Sequence, residues 1–281
     1  MKLNVGCRLE YETSVPTAFI LQIESVRADG QTVTSETLTL PPGCRFDAIV
    51  DPVTQNRVIR TVLGPGTIHV EYGASVDTAG RAEAPGAVSE IAFMNLPAHA
   101  LPFLTPSRYC PSDTFVEFAC AKFGRLVPGH QRVQSICDWI FANIRYQAGS
   151  TGPHSSAADV FQDGAGVCRD FAHLGISLCR ALGIPARYTS VYAAELKPQD
   201  FHATFQAFLT GPNGGAWYMF DSTRMSSVDA VVRIAAGRDA ADVAFAWPQA
   251  PVSFKNMQVW ANAEGRTQTT LTSAAVPTVP S

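Results

Sequence analysis

Charge is scarce in this chain. Asp, Glu, Lys and Arg make up only 16% of its 281 residues, and the net charge is -3. A protein that holds nucleic acid or an anionic membrane presents a basic footprint, so neither partner is expected. Long apolar runs are lacking too. No uncharged stretch approaches the roughly 20 residues needed to span a bilayer. The opening MKLNVGCRLEYETSV has neither an extended apolar region nor a small-residue cleavage site, and a cytoplasmic location is expected. The seven cysteines (Cys7, Cys44, Cys110, Cys120, Cys137, Cys168, Cys179) are odd in number and form no CxxC pair, which argues against a disulfide framework or a zinc site. In a reducing compartment most of them should be buried thiols behaving as small hydrophobes. P-loop, GxGxxG, GxSxG and EF-hand spacings are absent, as are internal repeats. No cofactor and no metal are expected.

What the chain has is apolar content, 46% of residues, enough for a sizeable core in one large or two medium domains. Its first hundred residues read as strands. Leu3, Val5, Cys7, Leu9 and Tyr11 alternate as a half-buried strand requires, and five more short runs follow, separated by ADG, PPG, DPVTQN and GPG. This spacing suggests a β-sandwich or small barrel, and a β-sandwich domain is expected over 1–98. The stretch 95–113 holds Pro97, Pro102, Pro106 and Pro111 and reads as an extended connector. Beyond it the apolar period lengthens to 3.6. Val133, Ile136, Cys137, Ile140, Phe141 and Ile144 define an amphipathic helix, DTFVEFACAKFG reads as another, and Ser156 with Asp159 has capping-box spacing for a third. Three strand-like runs come later, ARYTSVYAA, FHATFQAFL and AWYMFDST. Helices followed by strands predict an α+β domain with an antiparallel sheet over 99–262. The Thr/Ser/Pro-rich end, 263–281, reads as a mobile tail.

The chemistry concentrates in DGAGVCRDFAHLGISLCRALGIPARYTSVY, 163–192. Cys168 should open a helix that Gly183 and Pro185 stop. In the first turn, free N–H groups and the positive end of the macrodipole favour a thiolate. The Cys168 N–H could also help to hold an oxyanion. Gly166 and the residues around it allow a sharp turn and leave room for substrate beside the sulfur, with Val167 adjoining. Burial of Cys168 among helix packing residues is the competing reading. A thiol nucleophile needs a base, and the base needs an orienting group. His202 lies on an alternating strand, on the face shared with Thr204 and Gln206, and Asp221 ends the next strand. A hairpin through 210–215 would bring His202 and Asp221 opposite each other, Cβ atoms roughly 5 Å apart. His173 lies about 140° round the helix from Cys168, which suits packing rather than catalysis. Cys179 lies about 16 Å along it, too far for a redox pair. Arg187 and Tyr188 follow on a strand expected beside the site. Arg238, Asp239 and Asp242 read as a charged turn.

The combination GAGVCRDFAHLGISLCRALGIPARYTSVY, FHATFQAFL and WYMFDST resembles the transglutaminase-like superfamily. LTPSRYC at the junction and GRDAADV at 237–243 are similar to its bacterial cysteine-protease branch, which carries a strand-rich N-terminal domain; FAWPQAPVSF, just after, departs from that pattern. The resemblance implies a papain-like α+β core with Cys168 as nucleophile, His202 as base and later acid, and Asp221 as the group orienting His202. Gly166, Val167, Arg187 and Tyr188 would support the site. The implied activity is hydrolysis of a peptide or protein amide through a thioester. A primary amine acceptor would give transamidation. A non-catalytic binding module would have dispensed with one of the three residues, and an arylamine acyltransferase would favour RGG before the cysteine.

Overall fold

The computed structural model describes residues 1–28, 30–79, 87–211, 214–265 and 277–278. Six strands come first: β1 (Lys2–Thr13), β2 (Thr17–Leu21), β3 (Gln31–Thr39), β4 (Phe46–Val50), β5 (Arg57–Leu63) and β6 (Gly66–Thr78). Leu3, Val5, Cys7 and Leu9 are fully buried and Tyr11 nearly so, as the alternation requires. The helical part follows, with α1 (Val116–Phe123), α2 (His130–Asn143), β7 (Arg145–Tyr146), α3 (Ala157–Asp163), β8 (Ala165–Gly166) and α4 (Cys168–Ala181). Ser156 caps α3 as its spacing predicts: its N–H and hydroxyl both donate to Asp159 Oδ2 at 2.8 Å. Then come β9 (Ala186–Ala193), β10 (Phe201–Leu209), β11 (Ala216–Phe220), β12 (Val231–Gly237), β13 (Ala246–Pro248), β14 (Ser253–Ala263) and β15 (Pro277–Thr278).

The fold is mixed α and β with antiparallel sheets. One sheet runs β14-β1-β6-β3 and a second runs β13-β2-β5-β4. They share a core in which Tyr11 of one sheet meets Phe19 of the other, ring centroids 5.5 Å apart. The third sheet runs β12-β9-β10-β11-β15, and α4 packs against its β9 and β10. Residues 246–262, assigned by sequence to the domain 99–262, join the N-terminal sheets instead, together with Ala263. There β13 pairs with β2, and β14 pairs with β1 along nearly its whole length. Open sheet edges need partners, and these returning strands supply them. Sequence periodicity missed β12, β13 and β14, which are short or lack clean alternation. Most of the predicted tail, 263–281, lies outside the described residues, apart from 263–265 at the end of β14 and 277–278, which pair with Trp217 and Tyr218.

The N-terminal unit also completes the third sheet. Gln31 donates to the Arg233 carbonyl at 2.9 Å and accepts the Arg233 N–H at 2.8 Å. Asn56 makes the same pair of bonds to Ala236, both at 2.8 Å. Two side-chain amides thus stand in for the missing strand beside β12.

Close packing of α4 on β10 depends on Gly175. A Cβ there would lie 2.6 Å from Cε1 of Phe205, which is fully buried and stacked on Phe220. Gly175→Val is expected to lower stability by about 1–3 kcal/mol in urea denaturation. An unchanged midpoint would mean that α4 does not seat on β10 as described.

Candidate active site

Cys168 occupies the first turn of α4 and is half-buried. The turn before it is built from the positions that the sequence marks, for partly different reasons. Gly164 ends α3 at φ 65°, in the left-handed region that glycine tolerates. Gly166 is not needed to make room for substrate. A Cβ there would stand 2.8 Å from Asp170 Cβ and 3.2 Å from Val160 Cγ1, so glycine lets the chain pass close to Asp170. Val167 is the extended residue before the helix, and its N–H donates to Asp170 Oδ2 at 2.9 Å. The fully buried Asp170 also accepts the Thr151 hydroxyl at 2.5 Å and pairs with Arg169 at 3.0 Å. Arg169 in turn donates to the Gly152 carbonyl at 2.8 Å. Loop 151–152 is thereby tied to the helix start.

Tyr146 reaches the same point from another element. Parallel pairing of β7 with β8 sets it beside Gly166, and its ring packs 5.8 Å from Phe171. Burial and the neighbouring Cys168 sulfur push its phenol up to about 12. No motif identified Tyr146 in the sequence, because only strand pairing brings it to Cys168.

His202 and Asp221 meet as expected, though not directly opposite. The β10–β11 ladder ends at Phe205 with Phe220, so Asp221 lies just past the last pair and reaches three residues along β10 to His202. His202 Nε2–H donates to Asp221 Oδ2 at 2.9 Å, and both side chains are almost fully buried. Asp221 also accepts the Thr223 N–H at 2.9 Å and hydroxyl at 2.7 Å. His202 Nδ1 is buried with no regular hydrogen bond among the described residues. Burial disfavours charge on His202, but the Asp221 carboxylate, with help from the Cys168 sulfur, outweighs it and pushes the pKa up to about 10. Burial likewise opposes the Asp221 charge, and His202 and Thr223 together hold it below the usual carboxylate range. The two directions agree: this is an ion pair at neutral pH.

Cys168 and His202 open into one cavity of about 510 Å³. Phe201, Phe245, Trp247 and Met257 give it an apolar side, with Phe201 stacked on Phe245 at 4.9 Å. Trp247 and Met257 belong to β13 and β14, so the strands that return to the N-terminal sheets also line the cleft. Arg108, Arg169 and Asp200 contribute charge. Burial raises the Asp200 pKa, partly offset by the Phe201 N–H and the charge of His202.

The other sequence candidates separate. Tyr188 lines the cavity; Arg187, its neighbour on β9, does not. It points to the opposite face of the sheet, where its guanidinium lies 4.2 Å over the Trp217 ring. Alternation along β9 divides the pair. His173 packs between Tyr109 and Tyr188, at 5.1 and 5.2 Å, and its Nε2 accepts the Ala240 N–H at 3.1 Å. Burial and Arg169 bring its pKa down to about 3, so it is neutral. Arg238 and Asp242 do pair, at 3.0 Å, while the buried Asp239 accepts the Tyr109 N–H at 2.9 Å.

Known proteins agree with this architecture. Residues 122–222, which contain Cys168, His202 and Asp221, match the core of the transglutaminase-like superfamily. Residues 1–99 match the N-terminal domain of bacterial transglutaminases. The crystal structure of a candidate cysteine protease from Cytophaga hutchinsonii is 36% identical, with a TM-score of 0.91, over 99% of this chain and 96% of that one. An uncharacterized protein of Mycobacterium leprae (strain TN) is 31% identical over 150 residues, covering 50% of this chain and 52% of its own length.

The ion pair makes a signed prediction for Asp221→Asn. Without the carboxylate, only the Cys168 sulfur opposes burial, and the His202 pKa should fall well below its wild-type value of about 10, as read by imidazole NMR. Stability should fall by about 3 kcal/mol near pH 6. The raised His202 pKa makes the wild-type advantage shrink as pH rises from about 6.5 towards 10. The lowered Asp221 pKa makes it shrink again as pH falls through the acid range below the usual carboxylate value. A His202 pKa unmoved by the substitution would disprove the pairing.

Proposed function

We propose that this chain, which belongs to the transglutaminase-like superfamily, is a thiol-dependent amide hydrolase acting on peptide or protein substrates. One observation carries the reading. His202 is gripped through Nε2 by Asp221, and its buried Nδ1 is left free beside a cavity that also holds Cys168 at a helix start. That is the arrangement a thiolate–imidazolium pair requires.

In the proposed sequence, the Cys168 thiolate attacks the amide carbon and the carbonyl π electrons move to oxygen. The oxyanion is met by the Cys168 N–H and by the Tyr146 hydroxyl, which the pairing of β7 with β8 brings to the helix start. Collapse of the tetrahedral intermediate breaks the C–N bond as His202 gives its proton to the leaving amine. The product is an acyl thioester on Cys168. Water then attacks this thioester, with His202 taking the water proton, and collapse releases the carboxylic acid and the thiolate, restoring imidazolium. Asp221 keeps Nε2–H engaged throughout, so that Nδ1 carries the mobile proton. An amine in place of water would complete a transamidation by the same steps. Similarity along the whole chain to a candidate cysteine protease favours water. The apolar wall of Phe245, Trp247 and Met257 suits an apolar substrate side chain near the scissile bond.

Alkylation tests the pair directly. Cys120 is exposed and serves as the internal reference; Cys7, Cys110, Cys137 and Cys179 are buried. Iodoacetamide at pH 6–7, mapped by peptide mass spectrometry, should modify Cys168 ahead of Cys120. His202→Ala should abolish that preference and lower peptide hydrolysis by about 1000-fold or more. Equal reactivity of Cys168 and Cys120 in the wild type would refute the ion pair. Tyr146→Phe should lower kcat by about 100-fold with little change in KM; unchanged or increased turnover would remove Tyr146 from the oxyanion site.

A further inference from the structure

Four arginines among the described residues are more than nine-tenths buried: Arg132, Arg180, Arg187 and Arg233. Two have their charge answered within the protein. Arg132 faces Glu90 at 3.3 Å and donates to the Leu126 carbonyl at 2.8 Å. Arg180 donates to the carbonyls of Ala186, Thr105 and Arg238 and to the Ser107 hydroxyl. In the N-terminal unit, the half-buried Arg57 likewise has both Glu24 and Glu36.

Arg187 and Arg233 differ. The Arg187 guanidinium makes one hydrogen bond, from Nε to Gln206 Oε1 at 2.8 Å, besides its stacking on Trp217. Among the described residues the Arg233 side chain has no acceptor, and its Nε is buried without a partner there. Strand register puts both on one face of the third sheet. Arg187 lies opposite Gln206, Thr189 opposite Thr204, and Arg233 opposite Val191, two residues along β9 from Thr189. The hydroxyls of Thr189 and Thr204 are also buried with no partner. Burial and the neighbouring Arg233 charge both disfavour the charge on Arg187, and burial alone brings Arg233 down to about 10. No described carboxylate offsets either one. A guanidinium does not shed its proton in a protein, and an unanswered buried charge is costly. Two such charges on one face, flanked by two unused hydroxyls, call for a counter-ion.

We propose that this face of the sheet holds a compact inorganic anion of chloride size, bound by the free guanidinium N–H groups of Arg187 and Arg233 with the hydroxyls of Thr189 and Thr204 as further donors. Each arginine keeps 6% of its surface accessible, an opening that suits a small ion rather than an organic ligand. The site stands apart from the cleft, since neither arginine lines it. It nevertheless adjoins the strand of the histidine, because Val191 separates Arg233 from His202 in the register. The ion would stabilise the sheet that carries His202, independently of the reaction proposed above.

Thermal unfolding in sodium chloride and in sodium gluconate, at matched ionic strength, tests this on the intact chain. Gluconate is too large for the site. Chloride should raise Tm by about 3 °C over gluconate in the wild type. Arg233→Met should remove that difference while still folding, since an apolar side chain suits a buried position. Equal Tm values in the two salts for the wild type, or an undiminished chloride response in Arg233→Met, would overturn the proposal. Should the variant fail to fold, bromide-soaked wild-type crystals decide. An anomalous peak between Arg187 and Arg233 supports the site, and its absence there rejects it.

Discussion

Burial of α4 is the constraint around which the molecule is arranged. Every residue from Asp170 to Arg180 is buried, although four of them are Asp170, His173, Ser177 and Arg180. A helix hidden on all sides must have its polar groups answered by the elements that hide it. Asp170 takes Thr151 and the Val167 N–H, His173 takes the Ala240 N–H, and Ser177 donates to the His173 carbonyl. Arg180 gathers the connector at Thr105 and Ser107, the start of β9 at Ala186, and the exit of β12 at Arg238. The helix therefore acts as a clasp for segments far apart in the chain. The helix is half-buried only at its ends, and Cys168 stands at the first of them with the positive end of the dipole behind it.

Charge is buried in two contrasting ways on the sheet that faces α4. His202 and Asp221 are opposite charges at hydrogen-bond distance, and each holds the other ionised despite burial. Removing one partner from such a pair costs more than making the pair gains, so the arrangement is committed to both members. Arg187 and Arg233 are like charges that no described carboxylate offsets. The first arrangement answers charge with charge, and the second leaves it unanswered among the described residues. Both follow from low charge content: with few ionisable residues, those placed inside are there for chemistry or for cohesion.

The strand-rich N-terminal unit is part of the site's construction rather than an appendage. Its Gln31 and Asn56 bracket the outer edge of β12, and its sheets take in β13 and β14. Those two strands carry Trp247 and Met257 into the cavity that holds Cys168 and His202. A catalytic core cut free of residues 1–98 would lose the support of β12 and one wall of its cleft. This accounts in physical terms for a chain that matches both the transglutaminase-like core and a bacterial transglutaminase N-terminal domain.

Features governed by neighbours in the chain were legible in the sequence. The alternation of Leu3 to Tyr11, the cap at Ser156, the 3.6 period of α2 and the start of α4 at Cys168 each depend on a few adjacent residues. So did the likeness to a superfamily, and with it the candidates Cys168, His202 and Asp221. Tertiary structure decided what lies across space. It moved 246–263 into the N-terminal sheets, offset Asp221 along β10 from His202, gave the room at Gly166 to Asp170, turned Arg187 away from the cleft and brought Tyr146 beside Cys168. Backbone edges and buried charges are answered by whichever group arrives within about 3 Å, and no local pattern records which one that will be.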